Sequence, residues 1–464
     1  MTIKTQTQLQ HALVIGGSLA GLLAARVLSN HFDKVTIVER DRITDLPESR
    51  KGQPQTRHLH GLLARGLEVM TDYFPDLPEA LANGGAVLSD MAAAMRWHAF
   101  GGYRLQYQSG QTGVFMSRPF LEWQIRRRVL ALPNVQVLDQ SSVAHLVTTA
   151  DGRRVIGLEI LRRADPNQRQ VLSADLIVDA SGRGSATPKW LSALGYPQPT
   201  ESVVKIGVGY ATRLYRRRPG ELTGAAALII SPDPPAGKRM GLIFPIEDDR
   251  WICTLGGWAG DHAPVDEQGF MAFAQSLPAP DLYNLLGRLE PISDIVSHKF
   301  PSSLRRHYEN LSRFPEGYLV MGDAVCSFNP VYGQGMTSAA LQAATLDKML
   351  ADCHSLEGLW RSFFKQVAQV IDIPWQLAVG EDFRFPETEG KKAPGTDFIN
   401  AYVTKVHQTT HHDPYVYGAF LKVMNLMAPP TSLFQPRIMW RVFRPQSKHL
   451  SGSEGRRLLK TGLS

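Results

Sequence analysis

Residues 11–41 leave the N-terminal part of this chain little choice of fold. The apolar run 11–15 reads as a buried strand, and Gly16-Gly17-Ser18-Leu19-Ala20-Gly21 follows it at once. Residues 22–28 continue as an apolar helix, and residues 35–38 form a second strand ending in Glu39-Arg40-Asp41. This is a βαβ unit. Gly16 makes the tight turn, and Gly21 lets helix and sheet approach closely. Ser18 stands where the usual fingerprint has its middle glycine, and Gly17 supplies the local freedom. Glu39 comes twenty-three positions after Gly16, near the spacing that brings an acidic side chain to a ribose hydroxyl. A glycine cluster alone says little. With strand, helix, strand and terminal acid in register, it predicts a dinucleotide site formed by Gly16, Gly17, Ser18, Ala20, Gly21, Glu39 and Arg40.

A second stretch, residues 318–344, repeats the logic of a strand running into a ligand-facing turn. Gly322 ends a short apolar strand, and Asp323 puts a carboxylate at the strand's carboxyl end, where α/β sheets hold ligands. Pro330 fixes a bend, and Gly333 and Gly335 let the backbone come close to a ligand. Met336 opens a helix whose free N–H groups favour an anion. A flat redox ring that becomes anionic on reduction suits this arrangement; the plain alternative is a Gly-rich turn before a core helix. Asp179, ending the strand 175–180 before Ser181-Gly182-Arg183-Gly184-Ser185, makes another acidic turn.

Two arginines are candidate contacts to a pyrophosphate or ribityl chain. Arg50 lies in the basic segment 50–60, expected to enter a helix at Gly61. Arg118 lies at a helix start with Ser117 or Arg118 itself as cap and Pro119 in the first turn, and is otherwise a solvated arginine. His58 and His60 are two apart and face opposite ways if extended, which disfavours a metal pair. They serve a cofactor hydrogen bond, a surface role or covalent cofactor attachment.

At 464 residues the chain exceeds one hydrophobic core. With 43% hydrophobic and 20% charged residues it is a folded, soluble protein. The net charge of +7 includes the runs Arg126-Arg127-Arg128 and Arg216-Arg217-Arg218, read as solvated faces or a docking surface for an acidic partner or membrane. No nucleic-acid module accompanies them. Cys253, Cys326 and Cys353 form no C-x-x-C pair, so neither a metal site nor a redox disulfide is expected, and a reducing, cytoplasmic setting is. The polar start shows no signal peptide, and no apolar run reaches transmembrane length.

Residues 135–147 and 154–162 read as a β-meander turning at Asp151-Gly152. Alternating strands dominate 203–300: 205–210, 225–230, 240–246 and 251–255, with loops at 214–222 and 231–238. Tyr210, Phe244, Pro245 and Trp258 are candidates for a substrate cavity there. Beyond it, Pro374-Trp375 is expected to start a helix, residues 386–396 form a loop, and Asp413-Pro414 opens a helix through Met427 with Phe420, Leu421, Met424 and Met427 on one face. Residues 436–443 make another short helix. These helices form a cap over the core or an interfacial membrane element. The expected fold class is mixed α/β: a dinucleotide-binding Rossmann-like domain from residues 1–75, 105–195 and 299–375, a substrate-side insertion at 76–104, an antiparallel β-sheet substrate domain at 196–298 and a helical region at 376–464.

The Gly16–Gly21/Glu39 unit, the Asp179–Ser185 turn and the Gly322–Gly335 stretch occur in an order and spacing that resemble the FAD-dependent monooxygenases of the para-hydroxybenzoate hydroxylase fold. Residues 50–60, 179–185, 245–251 and 329–333 look most like bacterial polyketide epoxidases of the polyether type. The resemblance covers roughly residues 10–380 and is specific for FAD and fold more than for substrate. It implies that Glu39 binds the adenosine ribose, Asp323 the ribityl chain and the 330–336 loop the isoalloxazine, with Arg50 and Arg118 toward the ribityl–pyrophosphate region. It implies a reaction in which reduced FAD adds O2 at C4a and passes one oxygen to a hydrophobic alkene or aromatic substrate (a polyene, terpenoid or phenol), in secondary metabolism. Electrons are expected from NADPH or NADH, directly or through a separate flavin reductase; the family's Asp-Gly pair is Asp179-Ala180 here, which weakens the direct route. Two rivals use the same frame: an alkene reductase similar to geranylgeranyl reductases, and a non-catalytic flavin carrier. The W-x-W-x-I-P segment of flavin halogenases is absent.

Overall fold

The computed structural model describes residues 9–444, so the polar start and the last part of the C-terminal region lie outside the described residues. Its organising element is a five-stranded, all-parallel sheet. Leu9–Ile15 is central, with Phe32–Val38 and Val135–Leu138 on one side and Leu176–Asp179 and Tyr318–Val320 on the other. Ala12, Leu13, Val14, Val35 and Ile37 are completely buried, as expected for strands covered on both faces. The helix Leu19–Leu28 packs on the helix Gly335–Asp352, using small residues such as Ala24, Ala25, Ala340 and Ala343 at a shared core. The carboxyl ends of the central strands therefore converge on one edge, and both glycine-rich turns open there.

A seven-stranded sheet forms the second layer. Val208–Arg216, Ala227–Ile230, Arg239–Ile246, Arg250–Gly257 and Val296–Phe300 build most of it. Met95–Ala99 and Gly102–Tyr103 join its edge beside Ala227–Ile230. The hairpin between Arg239–Ile246 and Arg250–Gly257 turns through Asp248 and Asp249, both at positive φ.

Several expected boundaries move. Val135–Leu138 belongs to the parallel sheet, so the meander is Ser141–Thr148, Val155–Arg162 and Asp165–Ser173. The strand expected at 205–210 is instead Glu201–Val204 and Val208–Arg216, broken where Gly207 takes φ +61°, and residues 214–216 are strand rather than loop. Two helices, Glu267–Gln275 and Asp281–Leu286, interrupt the strand-rich region and bury Phe270, Phe273 and Leu282 against the second sheet. The helix after the histidine segment begins at Ala64, not Gly61, with the extended Leu63 before it; Pro54 opens a separate single turn, Pro54–Arg57. Pro374 starts nothing: it sits inside the helix Leu359–Asp382. Phe363, Val367, Ile371 and Ala378 are buried on both sides of it, and that packing outweighs the lost backbone donor. The helix capped by Asp413 ends at Met424, and Met427 is exposed. Arg126 is buried, donating to the Thr44 and Leu46 carbonyls, rather than solvated.

Candidate functional site

Gly16 leaves its strand at φ +99°, where a Cβ would meet the Ala180 carbonyl oxygen at 2.8 Å. A Cβ on Gly21 would lie 1.8 Å from the Gly16 carbonyl oxygen, so only glycine lets the helix start against this turn. The Gly17 N–H donates to Glu39 Oε2 at 2.7 Å, and the Asp41 N–H to Glu39 Oε1 at 2.8 Å. Arg50 approaches Glu39 at 3.1 Å and donates to Glu122 Oε1 at 2.7 Å and to the Gly17 carbonyl at 2.9 Å. Glu122 also accepts from Ser18 Oγ at 3.0 Å and faces Arg118 at 3.5 Å. Burial works against charge on Glu122, but Arg118 and Arg50 outweigh it and its pKa falls below the usual carboxylate range. Sequence reasoning missed Glu122. Its signal was the i,i+4 spacing from Arg118 on a capped helix.

A cleft of about 620 Å³ runs from this loop along the sheet edge. Gly16, Ser18, Ala20, Glu39, Arg40, Arg118, Asp323, Pro330, Gly333, Gly335 and Met336 all line it. Five expected contacts do not. Gly17 and Gly21 shape the loop from behind, Arg50 is enclosed by Glu39 and Glu122, and Gly322 turns the chain past Ala20 with its N–H on Gln342. Asp179 is fully buried and held by the Ser181 N–H and the hydroxyls of Ser185 and Thr187. It fixes the turn, and Ala180, Ser181 and Gly182 reach the cleft in its place. Asp323 lines the cleft with its side chain exposed to it; the surrounding protein raises its pKa, opposed by Arg118 and Arg183. The helix Gly335–Asp352 points its N-terminus at the far end.

That end opens onto a second, apolar cavity of about 350 Å³. Pro330, Gly333, His60, Gly61 and Tyr210 border both spaces. Tyr210, Phe244 and Trp258 line the cavity; Pro245 does not, because strand alternation turns it to the other face opposite Trp251. Val403, Phe420, Leu421 and Met424 from the C-terminal helices complete the wall. His58 is buried rather than on the surface, bonded to Thr212 Oγ1 at 2.8 Å and edge-on to Tyr210. Burial, with His298 nearby, pushes its pKa down to about 3, so it is neutral. His60 donates from Nδ1 to the His58 carbonyl and is pushed down to about 4, chiefly by burial. Among the described residues no cluster with metal-ligand spacing occurs.

Asp382, from the end of a long helix, was also missed. It accepts from Asn329 Nδ2 at 2.8 Å and Tyr332 Oη at 2.9 Å and so braces the 329–335 loop. Burial raises it to about 7, against the effect of Asn329, Tyr332 and Trp258.

The residues fit FAD. The glycine loop and Glu39 suit an adenosine ribose, Arg118 and Asp323 the central chain, and the Gly335 helix start the ring. Gly61, Gly182, Gly184 and Gly335 line the cleft with open space where a Cβ would stand, so backbone without a side chain faces a ligand at these positions. No protein-family model matches the chain. It is 37% identical to Protein Rv3254 of Mycobacterium tuberculosis (strain ATCC 25618 / H37Rv) over 363 residues, 75% of each chain. Its fold matches a flavoprotein/dehydrogenase from Cytophaga hutchinsonii with a TM-score of 0.66, at 15% identity, over 93% of this chain and 96% of that one. It also matches PqsL of Pseudomonas aeruginosa, a probable FAD-dependent monooxygenase, with a TM-score of 0.59, at 15% identity, over 81% and 98%.

Proposed function

The chain belongs to the family of Protein Rv3254 and has the fold of the FAD-dependent monooxygenases; on that premise we propose that it binds FAD and transfers one oxygen atom from O2 to a hydrophobic alkene or aromatic substrate. The carrying observation is the shared border of cleft and cavity at Pro330, Gly333 and Tyr210. FAD, when reduced by NADPH or NADH directly or through a flavin reductase, supplies the oxygen-activating chemistry. The protein's own part is positional. The helix start at Gly335 favours negative charge at the ring, and Asp382 holds the loop beside it through Asn329 and Tyr332. Tyr210, Phe244 and Trp258 exclude water. No side chain need act as nucleophile.

Purified protein, reduced anaerobically and exposed to isotopically labelled O2 with polyenes or phenols, is expected to yield singly labelled product. Double-bond loss without oxygen supports the reductase reading instead, and substrate-independent oxygen uptake supports the carrier. A peripheral membrane role rests on the helix Pro436–Phe443, which exposes Met439, Trp440 and Phe443 beside Arg437, Arg441 and Arg444. No helix among the described residues is long and apolar enough to cross a membrane.

A further inference from the structure

Arg104 follows the edge strand Gly102–Tyr103 and reaches the wall of the apolar cavity. Its side chain is only 3% exposed and lies between Trp97 and Phe420, with 4.1 and 4.5 Å to the ring centroids. Nη1 donates to Thr410 Oγ1 at 2.6 Å and Nη2 to His407 Nδ1 at 2.7 Å. Nε is buried with no partner. Both acceptors are neutral. Burial, then Arg104 and Arg384, hold His407 well below its ordinary pKa, so it accepts at Nδ1 and carries its proton on Nε2.

Among the described residues no carboxylate pairs with Arg104. Glu381, the acid acting on it, is gripped by Arg384 at 2.7 and 3.0 Å. The region therefore holds two guanidiniums, the Glu381 carboxylate and a neutral imidazole, a surplus of one positive charge while the neighbouring Asp382 is protonated, which it is below its pKa of about 7. Aromatic faces soften a buried cation but do not neutralise it. Arginine stays ionised at neutral pH even here, where burial brings it to about 10. Two of its five N–H bonds are used, and the three that remain include the enclosed, unpartnered Nε.

We propose that Arg104, with His407 and Thr410, is the anion end of the substrate cavity, and that the substrate is an apolar molecule carrying one carboxylate. A monoanion matches the surplus; a phosphate dianion brings a charge that nothing here balances. Leu421, Met424, Val403 and Phe244 wall an apolar body between Arg104 and the 330–334 loop. That the body's far end is the reacting end rests on the flavin reading above; the anion end does not.

The test is calorimetric binding of decanoate and of decan-1-ol to the purified protein, its FAD content measured in the same sample. The wild-type chain is expected to bind the acid about tenfold more tightly or better, the scale of a charged hydrogen bond. That preference disappears when pH falls below the ligand's own pKa. Arg104→Met abolishes it while leaving alcohol binding in place, and Arg104→Lys keeps part of it. Equal binding of acid and alcohol by wild type, which needs no variant, overturns the proposal, as does an acid preference that survives Arg104→Met. A chain that neither carries FAD nor takes it up on reconstitution, with the acid preference intact, would instead remove the flavin reading alone.

Discussion

Arg50 and Arg104 are both buried, at 8% and 3% exposure, yet their surroundings differ in kind. Arg50 lies under the cofactor loop between Glu39 and Glu122, and the loop backbone closes on the same network. Arg104 lies in the apolar cavity between aromatic rings, with a hydroxyl and an imidazole for company. The first site is balanced in charge by its two carboxylates, although the Arg50 Nε, like that of Arg104, has no hydrogen-bond partner, and it gives the loop its shape. The second lacks a counter-charge, and a ligand is what would supply one. Charge balance thus separates a group that builds a binding site from a group that belongs to the bound state.

The largest expected effect breaks the first of these sites. Arg50→Met leaves Glu39 and Glu122 facing each other, and removing one partner of a buried pair costs about 3–5 kcal/mol. Thermal unfolding should show a sharply lower Tm and lost flavin. Arg104→Met strands no carboxylate, so its Tm should change far less; equal losses would erase the contrast. Next, Glu39→Gln turns an NH2 toward one of the Gly17 and Asp41 N–H donors, removes the ion pair with Arg50 and weakens the expected ribose contact. FAD affinity, read by fluorescence titration of the apoprotein, should fall about tenfold or more.

A third prediction concerns Asp382, the brace between cleft and cavity. Its folded pKa is about 7 against an ordinary 3.8. Between those values the folded chain keeps a proton that the unfolded chain has lost. Stability therefore declines as pH rises through that window and levels off above it. Asp382→Asn, which keeps an acceptor for Asn329 and Tyr332, should flatten Tm against pH; an unchanged slope would assign it to other groups. The smallest effect is at the surface. Trp440→Ala with Phe443→Ala should weaken co-sedimentation with anionic vesicles severalfold and leave flavin content unchanged.

The two regions were also unequally legible in the sequence. The cleft depends on backbone geometry that only glycine satisfies at fixed spacing, so Gly16, Gly21 and Gly333 stood out. The Asp413-Pro414 cap and the 436–443 helix were visible for the same local reason. Asp179 shows the limit: its place at a strand end was readable, but the Ser185 and Thr187 hydroxyls that turn it inward were not. Glu122 looked like any helical glutamate until Arg50 arrived from seventy-two residues away. The cavity is assembled almost wholly by such contacts. Arg104 and His407 are 303 positions apart, and no periodicity links them. Pro374 failed in the other direction, a strong local signal overruled by buried neighbours on both sides.

The most direct test of the account is to purify the full chain without added flavin, denature it and identify what it releases by chromatography. One FAD per chain, or stoichiometric uptake on reconstitution with spectral change when an apolar acid is added, is the predicted result. A well-folded chain that carries no flavin and takes none up would contradict the account at its base.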